Sequence, residues 1–372
     1  MIPAVKRAAS VFVVGLLIAS CAGKTASSTA SPLANPSRSP ATSLPAASPA
    51  ASPAALTGAF AVLVTPPSAP NYTVSIVDAN GKVVGSAQAS SPTAVTCADA
   101  AGAEVPLPIS TSDDRAYYMD AQGVVRFLTV QGETGRATTV PTGASRRSTF
   151  AVSPDDQRIA VVVNDFTASG VTFKIYVEDL NGGTNHLDIY GTTGVTGLWP
   201  LGWHGPNNLV LAVVKACSQG GGPFCCGPRE LHVVDPATAL RRFTIGDSQC
   251  LIAGSPSPGG VVCEDSATFT HASVVDWSAT SLRTFQIPGP EAAYLSPDGR
   301  VVALFNFTGT GVTTFEGAKA TLNMQTCGWI DSTHVIAGDY GQPPARIGNI
   351  VSGAIVTIAA KGTCAGRLPG GL

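Results

Sequence analysis

The chain has 372 residues, enough for one large domain or two to three ordinary ones. Only 12% of them are charged, against about 25% in an average globular protein, while 40 glycines and 28 prolines supply turn formers that argue against a helical bundle and for many short strands. With 22 basic residues against 24 acidic ones, no positive field exists to hold a polyanion, which argues against nucleic-acid binding.

The N-terminus carries a targeting pattern. Lys6 and Arg7 precede the apolar run from Val11 to Ile18, which is shorter than the roughly 20 apolar residues needed to span a bilayer. It therefore reads as a signal peptide over residues 1–20. The run ends in Ile18-Ala19-Ser20-Cys21, which resembles the lipobox of bacterial lipoproteins: an aliphatic residue, two small residues, then a cysteine whose thiol receives diacylglycerol. That resemblance implies lipidation at Cys21 and a place in the bacterial cell envelope, at the outer face of the cytoplasmic membrane or at the outer membrane.

Residues 21–57 read as a linker. Of the 36 residues from Ala22 to Thr57, 29 are Ala, Ser, Pro or Thr, with no apolar periodicity. Such a segment buries too little surface to offset its ordering entropy. As a flexible coil it reaches about 33 Å, a tether that lifts a domain off a membrane.

From residue 58 to 372 the sequence repeats itself. The first unit is a pair of apolar residues, a turn former and a bend: Ile76-Val77-Asp78-Ala79-Asn80-Gly81, Thr129-Val130-Gln131-Gly132, Tyr176 to Gly182, Val233-Val234-Asp235-Pro236 and Val274-Val275-Asp276-Trp277. Weaker copies are Phe315-Glu316-Gly317 and Asn349 to Gly353. Asp suits such a turn because its carboxylate bonds backbone amides two residues on, and Gly supplies a positive φ. The mean spacing from Asp78 to Ile350 is about 45 residues, the length of a four-stranded propeller blade.

A second unit lies between those turns. Ser153-Pro154-Asp155-Asp156 and Ser296-Pro297-Asp298-Gly299 each precede a buried apolar strand, with degenerate versions at Ser112, Trp203, Ser257 and Trp329. These segments resemble the Ser-Pro-Asp-Gly motif of TolB-like, WD-repeat-like β-propellers. The resemblance, over residues 59 to 364, implies an all-β propeller of seven blades, with six as the fallback count. Two β-sandwiches joined by a linker are the competing arrangement. The first copy lacks an inner strand: Phe60–Val64, Thr73–Val77 and Lys82–Gly85 supply only the second to fourth. Gly362 to Arg367 matches Cys250 to Ser255 in style, so the C-terminal strand is expected to close the ring.

Nine cysteines less Cys21 leave eight, an even number in an exported chain, which favours disulfides. Cys250 and Cys263, on neighbouring strands of one blade, are expected to pair. Cys217 is expected to pair with Cys225 or Cys226 across a Gly-rich loop. Cys97, Cys327 and Cys364 remain, with one member of the doublet, and their pairing is open. All eight trace to the face that holds the connections between blades and the loops between the second and third strands of each blade.

No Gly-x-Ser-x-Gly elbow, phosphate loop, zincin motif or dinucleotide fingerprint occurs. The five histidines are scattered singly, which points to no metal site and no cofactor; Asp113-Asp114 and Asp155-Asp156 sit in turns, where a calcium site is the alternative to a structural role. Trp199, Trp203, Trp277 and Trp329 suit packing between blades, or stacking on a sugar. Without signal and linker, 18 basic residues face 24 acidic ones, a net charge of −6. The expectation is a monomeric, membrane-tethered, noncatalytic binding or scaffolding module for a protein, peptide or envelope glycan. The alternative is a propeller lyase or hydrolase with catalytic groups gathered at the central channel. An apolar or neutral-polar channel favours the first; clustered His, Arg, Asp and Glu favour the second.

Overall fold

The computed structural model describes residues 56–372 apart from 67–69, 94–106, 168–169, 195, 216–227, 288, 290–291, 307–308, 315–318 and 340–343. Cys21, the signal and lipobox, nearly all of the linker, Cys97, Cys217, Cys225, Cys226 and the turn copy at Phe315 lie outside the described residues. Within them every regular element is a β-strand, in seven four-stranded antiparallel sheets. The chain is a seven-bladed β-propeller, and neither six blades nor paired sandwiches fit that topology.

Each sheet is a meander whose strands are named A to D from the hub outward. Blade 1 consists of Thr363–Leu368, Phe60–Val64, Asn71–Asp78 and Val83–Ser90. Blade 2 follows with Ile109–Thr111, Arg115–Met119, Val124–Thr129 and Thr134–Thr139, and blade 3 with Arg146–Val152, Arg158–Thr167, Gly170–Asp179 and Leu187–Gly194. Blade 4 is Thr196–Trp203, Leu209–Lys215, Leu231–Val234 and Arg241–Ile245; blade 5 is Cys250–Ser257, Gly260–Asp265, His271–Val275 and Ser281–Gln286. Blade 6 is Ala292–Leu295, Val301–Asn306, Gly309–Thr314 and Lys319–Leu322, and blade 7 is Gly328–Trp329, His334–Ala337, Arg346–Asn349 and Ile355–Thr357. In this order the A–B and C–D turns share one face of the ring, and the B–C and D–A connections share the other.

Period-2 side chains explain the ring. In strand B of blade 1, Val62 packs with blade 2 through Tyr118 and Leu128, while Ala61 and Leu63 pack with blade 7 through Ile336 and Ile347. A blade is therefore apolar on both faces and needs a neighbour on each. Seven apolar clusters result, each shared by two adjacent blades, and the one between blades 7 and 1 completes the circle.

The closing strand behaves as the sequence predicts. Phe60 pairs with Leu368 and Val64 with Thr363, antiparallel, with a bulge between Val62 and Leu63. Closure removes the unpaired edge that strand B of blade 1 would otherwise present at the hub.

The two repeated motifs are the A–B and C–D turns. In both Ser-Pro-Asp copies the serine hydroxyl donates to the aspartate, Ser153 Oγ to Asp155 and Ser296 Oγ to Asp298, at 2.6 Å. The same hydroxyls accept the backbone N–H of Arg158 and of Val301 at 2.9 Å. In the C–D turns, Asp78 accepts the N–H groups of Asn80 and Lys82, and Asp276 accepts those of Ser278 and Thr280, all at 2.9 Å. These contacts reach at most five residues along the chain, which is why the motifs are visible in the sequence at all.

Candidate functional site

The A strands of all seven blades converge on one cavity of about 360 Å³ at the hub. Thr111, Thr149, Leu201, Ser257, Leu295, Trp329 and Arg367 represent blades 2, 3, 4, 5, 6, 7 and 1 in its wall. At the turn-bearing end a C-terminal strap crosses the rim. Gly370 N–H donates to the Ser112 carbonyl of blade 2, and Leu372 N–H to the Trp203 carbonyl of blade 4, each at 2.7 Å. His204 holds the Leu372 carbonyl oxygen at 2.6 Å and stacks on Trp277, ring centroids 5.3 Å apart.

The wall is apolar and neutral-polar, with one charged side chain. Arg367 sits in the closing strand, opposite Ala61, and is partly buried. Its guanidinium has neither a hydrogen bond nor an ion pair to any of the described residues. Burial pushes its guanidinium down to about 10. Two further polar atoms of the wall, Trp199 Nε1 and Thr149 Oγ1, are buried with no hydrogen-bond partner among the described residues.

Two disulfides are present among the described cysteines. Cys250 and Cys263 join strands A and B of blade 5 as expected, with Cα atoms 5.2 Å apart. They are diagonal rather than directly opposed, since Cys263 lies across from Ile252. Cys327 and Cys364, whose pairing the sequence leaves open, are bonded with Cα atoms 6.0 Å apart. This bond joins the lead-in to blade 7 to the closing strand of blade 1, and both cysteines face the hub cavity. All four lie toward the end where the blade connections run.

Other candidates resolve into structural roles. Trp203 Nε1 donates to the Ala151 carbonyl of blade 3 at 3.1 Å, and Trp329 Nε1 to the Tyr294 carbonyl of blade 6 at 2.8 Å, so these indoles staple neighbouring blades. Trp277 Nε1 bonds the Ser257 carbonyl within blade 5 at 3.0 Å. His186 bridges Glu178 at 2.8 Å and Asp188 at 3.1 Å, and His334 bonds Asp331 at 2.9 Å. No group of three or more His, Cys, Asp or Glu among the described residues could hold a metal ion. Asp156 takes the position of Gly299 in the A–B turn, and its carboxylate reaches blade 2, where it accepts from Tyr117 Oη at 2.8 Å and pairs with Arg115 at 3.2 Å.

Sequence reading missed Arg367. Its one signal was a single cation inside an otherwise small and apolar strand, Thr363-Cys364-Ala365-Gly366-Arg367-Leu368.

No family model matches the chain, and no curated protein matches it. Among solved structures, the chain is similar to KlHsv2 with its loop 6CD replaced by a Gly-Ser linker, at 12% identity over 83% of this chain and 98% of that one, with a TM-score of 0.45. BamB from Moraxella catarrhalis is similar at 12% identity over 81% of this chain and 91% of its own, with a TM-score of 0.39. A prolyl endopeptidase is similar at 13% identity with a TM-score of 0.42; the match covers 78% of this chain and 46% of that one. The seven-bladed architecture stands on the strand pairing of this chain itself.

Proposed function

We propose that this chain is a noncatalytic binding or scaffolding module, lipid-anchored through Cys21 on the extracytoplasmic side of a bacterial envelope membrane, that presents its loop-bearing face to a protein, peptide or glycan. The observation that carries the reading is the hub wall. General acid–base and nucleophilic catalysis need a proton-accepting side chain within hydrogen-bond reach of the reacting group. The described wall offers hydroxyls, indoles, aliphatic groups and one guanidinium, with no carboxylate or imidazole side chain. Disulfides support an oxidising compartment. The lipobox-like run at Ile18 to Cys21 supports the anchor, and a tether reaching about 33 Å supports a search for partners close to the membrane.

Two measurements test this. Cys21→Ser should leave the precursor unprocessed or release the domain, and equal partition of wild type and variant into a detergent phase would sink the anchor. Crosslinking in cells from the 217–226 segment should capture one recurrent partner. Turnover of a glycan, peptide or lactone by the purified protein, lost on mutating hub residues, would overturn the noncatalytic reading.

A further inference from the structure

A charge in a mostly apolar wall is costly unless something pairs with it. Outside the hub, several arginines of the described propeller are paired with carboxylates. Arg115 meets Asp156, Arg126 meets Asp120, Arg146 meets Asp165 and Arg242 meets Asp235. Arg367 has no such partner among the described residues, and it is the one charged side chain in the hub wall. Its guanidinium is a planar fork of donors that matches the two oxygens of a carboxylate.

We propose that the hub cavity is a binding site for a small organic monocarboxylate with an apolar body, its carboxylate held by Arg367 and its body lying among Phe150, Tyr294, Leu295 and Trp329. The cavity of about 360 Å³ suits a molecule of that size, since small-molecule sites run from roughly 300 to 1,000 Å³. A single cation selects a single negative charge: a dianion would leave its second charge unpaired against aromatic and aliphatic walls. Trp199 Nε1 and Thr149 Oγ1 supply leftover hydrogen-bonding capacity in the same wall, the indole as a donor and the hydroxyl as either. The proposal rests on the noncatalytic reading only in that the acid is held and not consumed.

The test uses the full chain in detergent, titrated with 2-naphthoate and, as a neutral match in shape, 2-naphthol. Binding is followed by calorimetry and by quenching of tryptophan fluorescence. Naphthoate should bind at least about tenfold more tightly than naphthol, the discrimination expected of a hydrogen bond to a charged group. Arg367→Met should erase that preference without weakening naphthol, and Arg367→Lys should keep part of it. Trp199→Phe, which leaves Arg367 in place, should weaken naphthoate by a smaller factor. Equal affinity for acid and alcohol in the wild type, no binding of either, or an unchanged preference in a folded Arg367→Met protein would each overturn the site. Should Arg367→Met fail to fold, the wild-type preference and Arg367→Lys decide. Recovery of naphthoate separates the two readings, because its consumption would sink the noncatalytic function and leave the binding site standing.

Discussion

Asp156 shows one side chain doing two jobs. Its φ of 58° lies in the left-handed region, where a Cβ costs about 1–2 kcal/mol, and the equivalent Gly299 adopts 73°. Aspartate tolerates that geometry better than most residues, and here the carboxylate also ties blade 3 to Tyr117 and Arg115 of blade 2. Burial raises the pKa of that carboxylate. Asp156→Ala should therefore destabilise more than Asp156→Gly, by about 1 kcal/mol, because both lose the tie and only alanine keeps the strain. Denaturant midpoints check this, and equal midpoints would refute it. His186 offers a pH readout. Its hydrogen bond to Glu178, helped by Asp188, raises its pKa above the ordinary imidazole value. A raised native pKa means that the stabilisation is fully present below about pH 6.5 and is lost as pH rises through the native value. NMR titration should place the His186 midpoint above 6.5, and Glu178→Gln should lower it; a wild-type midpoint at or below 6.5 would contradict the bridge.

At the scale of the element, the turns make the propeller legible. The C–D turn of blade 1 puts Gly81 at φ 85°, and the corresponding turn of blade 5 puts Ala279 at φ 63° with the same aspartate bonds. Ala279→Gly removes a Cβ from a position that disfavours it, so it should stabilise the protein by about 0.5–1 kcal/mol, or roughly 1–3 °C in Tm. Calorimetry is the check, and a lower Tm would show that the alanine is unstrained. Turns of this kind can be read from sequence because donor and acceptor lie within five residues. The strand partners between them follow from the meander, in which neighbours in sequence are neighbours in space. Strand ends are less legible: Val83–Ser90 runs five residues past the predicted end at Gly85, because pairing with strand C, not local composition, sets its length.

For the molecule as a whole, the closing strand is the decisive contact. It joins residues nearly the full domain apart, Phe60 to Leu368, and the Cys327–Cys364 bond ties it to blade 7. In the chain-entropy account, a separation of 37 residues confers about 4 kcal/mol and the 13-residue separation of Cys250–Cys263 about 3 kcal/mol. The double variant Cys327→Ser/Cys364→Ser should therefore lose more stability than Cys250→Ser/Cys263→Ser. It should also speed hydrogen exchange in residues 363–368, whereas the blade 5 variant should not. Faster exchange confined to blade 5 in both variants would show that the ring closes without help from the bond.

The repeat spacing, the two turn motifs, the missing first inner strand and its C-terminal replacement were all readable in the chain, because each depends on local bonding or on a period that recurs along it. The Cys250–Cys263 pairing was readable for the same reason, as both cysteines belong to one hairpin. Which cysteine meets Cys364 depends on blade 7 lying beside blade 1, a contact that exists once the ring has closed. The hub is the same case on a larger scale. Its wall takes residues from seven strands spread between Leu107 and Leu372, so no short segment carries its signature. The isolation of Arg367 is a property of what surrounds it in space: in the sequence it is one of 22 basic residues, and at the hub it is the one charged side chain of the wall, with no ion pair among the described residues.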